Sequence, residues 1–211
     1  SRPNLTVKTG AQATRILFEG KRAAGIEFIQ KGLIHRMHAG REIILSAGAF
    51  NSPKLLMLSG IGPGDALETA GVRSFHELPG VGENLQEHVD SCVLQESLKS
   101  DGFRASLSGL LRMAPEPFRY LFGKKGKLES SVTQAGAFLK TSEDLEIPDV
   151  QLHFLPLLYD DSGRDLKLMS RKGYSCHVCV LRPKSTGRVT LSSADPDDDP
   201  VIDLNFLTHP D

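Results

Sequence analysis

The sequence predicts an α+β chain, and three observations predict it. Four short strand-like runs lie in the second half: Ala135 to Lys140, Val150 to Leu155, Cys176 to Leu181 and Arg188 to Leu191. Turn residues separate them. Near residue 45 a short apolar run passes through almost bulk-free residues into a helix-forming stretch, a different texture. Before it, paired strand-like runs around Gly20 and Gly32 suggest a small antiparallel meander.

In chain order, Leu5 to Val7, Arg15 to Phe18, Ala24 to Gln30 and Ile34 to Ala39 read as strands. Glu42-Ile43-Ile44-Leu45-Ser46 reads as a short strand of the kind buried in a parallel sheet. Ala47-Gly48-Ala49 follows. Asn51 or Ser52 is placed to cap a helix, with Pro53 in its first turn and Gly60 at its end. Asp65 to Ala70 reads as a second helix stopped by Gly71. Leu107 to Met113 and Phe118 to Phe122 read as helical, around Pro115 and Pro117.

The bulk numbers exclude several classes. The chain has 211 residues, 39% hydrophobic and 24% charged, an ordinary globular balance. A net charge of -1 without a long basic run argues against a nucleic-acid partner. No run of about 18 apolar residues suggests a membrane-spanning helix.

Cys176 and Cys179 form a C-x-x-C, but within a strand a spacing of three sends them to opposite faces. They are read as ordinary strand residues. Asp197-Asp198-Asp199 is read as a solvated loop, because a calcium loop spaces its carboxylates. His35, His38, His76 and His177 have no convergent ligand spacing and are read as structural or surface residues; no metal site is expected.

The segment Gly48-Ala49-Phe50-Asn51-Ser52-Pro53-Lys54-Leu55-Leu56-Met57-Leu58-Ser59-Gly60-Ile61-Gly62 resembles the second signature of the glucose–methanol–choline (GMC) oxidoreductases. The flanks 41–48 and 81–88 are also family-like, as are Gly136-Ala137-Phe138-Leu139 and Gly187-Arg188-Val189-Thr190-Leu191. The texture is similar to bacterial choline dehydrogenase-like alcohol dehydrogenases. The resemblance implies that residues 1–90 form part of an FAD-binding α/β domain. It implies a substrate domain over residues 91–211, an antiparallel sheet with helices on one face. Ala13, Ala47 and Gly48 become candidate FAD contacts. Asn84 and His88 are read as turn-holding residues of a family-like loop.

The same resemblance implies oxidation of the CH–OH group of a primary alcohol to an aldehyde, with hydride passing to flavin. His153 would hydrogen-bond the substrate oxygen. Gln134 stands where choline-oxidising relatives carry a glutamate that pairs with the trimethylammonium group. Loss of that charge contact costs roughly 1–3 kcal/mol, so a neutral alcohol fits better. The proton-abstracting histidine and the G-x-G-x-x-G cofactor loop are expected outside these 211 residues, and His209 is read as a loop residue. Expected partners are a small alcohol and either dioxygen or a quinone-type acceptor, in the cytoplasm or at the bacterial inner membrane. Taken alone, the chain is expected to lack activity and retained FAD, and to self-associate through strand edges. The alternatives are a hydroxynitrile lyase-type member of the family and a non-catalytic isolated substrate domain.

Overall fold

The computed structural model describes residues 2–98, 102–103, 105–123, 129, 132–160 and 163–210. The chain divides into two compact units, one of residues 1–87 with 184–211, the other of 88–183. The first unit gives way to the second at residue 88, and the stretch from 184 belongs with the first.

The first unit opens with an antiparallel meander: β1 (Ala11–Glu19), β2 (Arg22–Gln30) and β3 (Leu33–His38), in that order across the sheet. Lys31 and Gly32 both take positive φ between β2 and β3. That is the two-residue turn whose twist matches a hairpin. Two register shifts interrupt β1, between Ala13 and Arg15 and between Leu17 and Phe18. Glu27 on β2 is buried, with Arg15 and Arg36 both 2.9 Å from its carboxylate.

Helix α1 (Gly48–Leu58) follows, then β4 (Ile61–Gly62), α2 (Gly64–Thr69), β5 (His76–Glu77) and β6 (Glu83–Leu85). The late segment returns as β11 (Gly187–Thr190) and β12 (Val201–Asp203), and the sheet order is β12-β11-β6. Met57, Leu67, Val81 and Val189 form the core, drawing on α1, α2, the approach to β6, and β11. Gly82 permits this closure. It sits at φ +86°, and a Cβ there would lie 2.2 Å from the Val189 carbonyl oxygen.

Three sequence expectations are corrected here. Leu5 to Val7 and Glu42 to Ser46 are not strands. A strand exists through its hydrogen-bonded neighbour, and neither run is paired in a ladder among the described residues. Leu5, Val7 and Ile44 are 60%, 72% and 79% exposed. The helix begins at Gly48 rather than beyond Asn51, so Pro53 lies inside it. Ser52 Oγ accepts the Ala47 amide hydrogen at 3.0 Å from within the helix, instead of capping from outside.

The second unit is built on an antiparallel sheet ordered β7-β10-β9-β8: β7 (Asp90–Glu96), β8 (Ala135–Leu139), β9 (Val150–Leu155) and β10 (Gly173–Val180). Among its described residues it also carries the short helices α3 (Leu107–Met113), α4 (Glu116–Leu121) and α5 (Leu166–Met169). Ser106 caps α3 through its hydroxyl, and Asp165 caps α5 through its carboxylate. Along β10 alternate residues are buried, with Ser175, His177 and Cys179 on the covered face. Cys176 therefore faces away from Cys179, and both thiols are free.

Candidate functional site

In the first unit, β1 and α1 enclose one side of a groove of about 300 Å³. Its walls are Gln12 and Ala13 from β1, Ala47, Asn51, Lys54, Leu55 and Leu58 at or on α1, and Pro196. Two of the three expected cofactor contacts, Ala13 and Ala47, thus meet in one groove. Gly48 adjoins Ala47 at the helix start. It has φ +85°, and nothing lies within 4 Å of where its Cβ would be.

Local chemistry explains the opening. Ala13 and Ala47 contribute only methyl groups. No side chain caps the start of α1 and no acidic residue occupies its first turn. The first N–H groups of a helix carry a partial positive charge and favour anionic or polar ligand atoms. One rim is held in place: Lys54 Nζ donates to the carbonyl oxygens of Pro196 at 2.8 Å and Asp198 at 2.6 Å. Gln12 Nε2 donates to Pro196 O at 3.1 Å. Ala13 also borders a smaller cleft of about 260 Å³ walled by Phe28 and Met37.

In the second unit the register decides which side chains share a face. His153 on β9 lies directly across from Gly136 on β8 and from His177 on β10. Directly opposed residues in an antiparallel ladder point the same way. Gln134 stands just before β8, its backbone N–H donating at 3.2 Å to the carbonyl oxygen of Phe154, the residue paired with Ala135. Gly136 leaves the flank of His153 without a side chain; a Cβ there would lie 2.8 Å from Leu152 O. Of the two expected substrate residues, His153 is half-buried and Gln134 exposed.

Sequence reading missed what continues along that face. His177 is buried, and its Nδ1 is 2.7 Å from Asp90 Oδ2. Its Nε2 is 3.4 Å from Cys92 Sγ and 3.3 Å from Tyr159 O. Cys179, opposite Asp90, has its thiol pushed above the ordinary range by burial and then by the Asp90 charge. The signal available was Asp90-x-Cys92 and His177-x-Cys179, each with a strand's period of two. Nothing in the sequence pairs the two runs. His209 lies in the C-terminal stretch, its amide donating to Ser185 Oγ at 2.9 Å. Asn84 sits at φ +61°, and its side-chain oxygen accepts from Gln86 Nε2 at 3.0 Å.

Comparison with known proteins gives this geometry a family. Residues 1–90 match the family described as GMC oxidoreductase. Across its full length the chain is 42% identical to an alcohol dehydrogenase [acceptor] of Pseudomonas putida. The chain belongs to the GMC oxidoreductases. It is also 39% identical, over 99% of its length, to oxygen-dependent choline dehydrogenase 1 of Chromohalobacter salexigens. Among solved structures, a formate oxidase of Aspergillus oryzae, studied for its FAD modification, superposes with a TM-score of 0.82 at 26% identity. That match covers 98% of this chain and 41% of the oxidase. This GMC chain spans 38% of the Pseudomonas putida relative and 37% of the Chromohalobacter salexigens one.

Proposed function

We propose that this GMC chain provides one side of an FAD site and part of the alcohol pocket of an oxidoreductase that converts a primary alcohol to an aldehyde. The carrying observation is the 42% identity, along the whole chain, to a relative named for alcohol dehydrogenation with an acceptor. In this reading residues 1–90 belong to the FAD-binding side and the sheet beyond residue 90 to the substrate side.

The residues present fit the cofactor. A groove where Ala13 and Ala47 contribute only methyl groups, beside Gly48 and a helix start without a side-chain cap, suits a flat ring and its polar linker. Ala13, Ala47 and Gly48 would hold the adenosine part through close backbone approach. When bound, FAD supplies the hydride acceptor. The chain's own side chains do the rest of what is assigned here. His153 hydrogen-bonds the substrate oxygen and stabilises the charge that develops on it. Gln134 offers an uncharged amide, which favours a neutral alcohol over a cationic one.

The reading takes dioxygen or a quinone-type acceptor as the second partner, in keeping with relatives named for an acceptor and for oxygen dependence. It places the parent protein in the cytoplasm or at the face of the bacterial inner membrane. No helix among the described residues is long and apolar enough to cross a membrane.

A second reading concerns the 211 residues in isolation. The exposed run around Ile44, without a ladder partner among the described residues, favours an isolated chain that neither retains FAD nor reacts. The test is a flavin spectrum after incubation with FAD and desalting, on both the chain and the full-length parent. The parent should retain a band near about 450 nm, which a primary alcohol bleaches. A parent that holds no flavin defeats the first reading. Flavin retained by the isolated chain defeats the second.

A further inference from the structure

The sheet face of the second unit holds a group of side chains that the alcohol-oxidising reading does not use. Cys92 on β7 lies directly across from His177 on β10. Asp90, two residues before Cys92, reaches the other ring nitrogen of the same histidine. We propose that Cys92, His177 and Asp90 form a base-activated thiol that adds reversibly to aldehyde carbonyls.

The geometry supports each part. An ionised Asp90 only accepts hydrogen bonds, so at 2.7 Å it fixes the His177 proton on Nδ1. Nε2 is then the acceptor, and Cys92 Sγ is 3.4 Å away. The Tyr159 carbonyl oxygen lies 3.3 Å from both Sγ and Nε2, so it can accept from whichever atom carries the proton. The Tyr159 ring stands tilted against the imidazole, 5.9 Å between centroids. Cys92 is half-buried, which leaves a small electrophile a route to sulfur. A neighbouring imidazolium is the standard means of lowering a thiol's proton affinity.

Among the described residues, four titratable groups face Cys92 and His177 from the surrounding strands and the stretch after β9. Asp90 comes from β7, Cys179 from β10, His153 from β9 and Tyr159 from the stretch after β9. Cys179 shares the face but is held as a thiol by burial and the Asp90 charge. Cys176 points to the opposite face. The chain thus carries its own two comparison thiols.

The step balances without an oxidant or reductant. The Cys92 proton passes to His177 Nε2. The sulfur lone pair forms a bond to the carbonyl carbon, and the C=O π pair moves to oxygen. The imidazolium returns the proton to that oxygen, leaving a hemithioacetal. The choice of an aldehyde rests on the proposed alcohol-to-aldehyde reading; the activation of the thiol does not.

The test is alkylation of the full-length parent by iodoacetamide at neutral pH, followed residue by residue by peptide mass spectrometry. Cys92 should be labelled on the order of tenfold faster than Cys176. Asp90→Asn, at a partly exposed position, should remove most of that advantage while the thermal melt stays in place, and His177→Gln should also remove it. Propanal should slow Cys92 labelling, and its removal should restore the rate. Equal labelling of Cys92 and Cys176, or an Asp90→Asn variant with unchanged rate, overturns the activated thiol. Fast labelling that propanal does not slow overturns the carbonyl assignment. Alcohol oxidation is read separately from flavin bleaching, so its failure is a distinct result.

Discussion

The Ser59 hydroxyl takes the Ile16 amide hydrogen at 2.8 Å and gives its own to Leu55 O at 2.6 Å, tying β1 to the end of α1. These are the two elements that bring Ala13 and Ala47 to the groove. Ser59→Ala removes both bonds and leaves a partly buried N–H without this acceptor. It should cost about 1–3 kcal/mol, read as a lower urea midpoint with unchanged slope. An unshifted midpoint would mean that water replaces the hydroxyl.

Glu27 links all three strands of the meander. Hydrogen bonding from Arg15, and then from Arg36, holds its carboxyl below the ordinary range, although burial opposes the shift. A carboxylate lowered on folding stabilises the native state above its unfolded value, near about pH 4.3. That contribution is lost as pH falls through the lower folded value. Glu27→Gln should therefore destabilise at neutral pH and flatten the acid limb of the stability profile. A parallel shift at every pH would argue against this linkage.

Ala47 tests the groove. It is exposed at the head of α1, so Ala47→Leu should fold normally. The larger side chain should fill space assigned to the cofactor. In the full-length parent we expect the flavin content to fall severalfold with an unchanged melting temperature of the apoprotein. Full flavin content would move the adenosine site elsewhere.

Gln134 tests the substrate preference. Gln134→Glu places a negative charge beside the proposed pocket. The variant should improve kcat/KM for choline relative to a neutral primary alcohol by an amount worth about 1–3 kcal/mol. The gain should appear mainly in KM. No change in the ratio would place Gln134 outside the pocket.

Edge strands give a fifth expectation. β1 and β3 are the outer strands of the meander, and Leu33 and Ile34 on β3 are 65% and 67% exposed. Unpaired edges with apolar side chains invite pairing between copies. Light scattering on the isolated chain should report association that grows with concentration, and a monodisperse monomer at high concentration would contradict it.

Much of the fold was legible in the sequence because it is written in local patterns. Val150 to Leu155 alternates as a strand does and is one. Gly60 and Gly71 mark the helix ends with positive φ, as their lack of a Cβ allows. The runs at Leu5 and Ile44 misled because an apolar run specifies a strand only if a partner lies beside it. At Ala47 the error was one of competition: Ser52 has the chemistry of a cap, but Gly48 tolerates a left-handed start and lets the helix begin earlier. The groove was half legible, since Ala13 and Ala47 are 34 positions apart and only the family resemblance joined them. The Asp90–His177 contact spans 87 positions and had no local signature.

The return of residues 184–211 to the first unit has a consequence for synthesis on the ribosome. β6 finds its partner only when β11 emerges, about 100 residues later, a delay of roughly 5–20 s at typical elongation rates. Throughout that interval Met57, Leu67 and Val81 are translated but Val189 is not, so the nascent core has an open wall. The inserted unit, whose strands all lie between Asp90 and Val180, can pair internally first. Within these residues the stretch before β7 is therefore closed only after the inserted unit has been made, and it is the stretch a nascent-chain holdase would have most reason to shield.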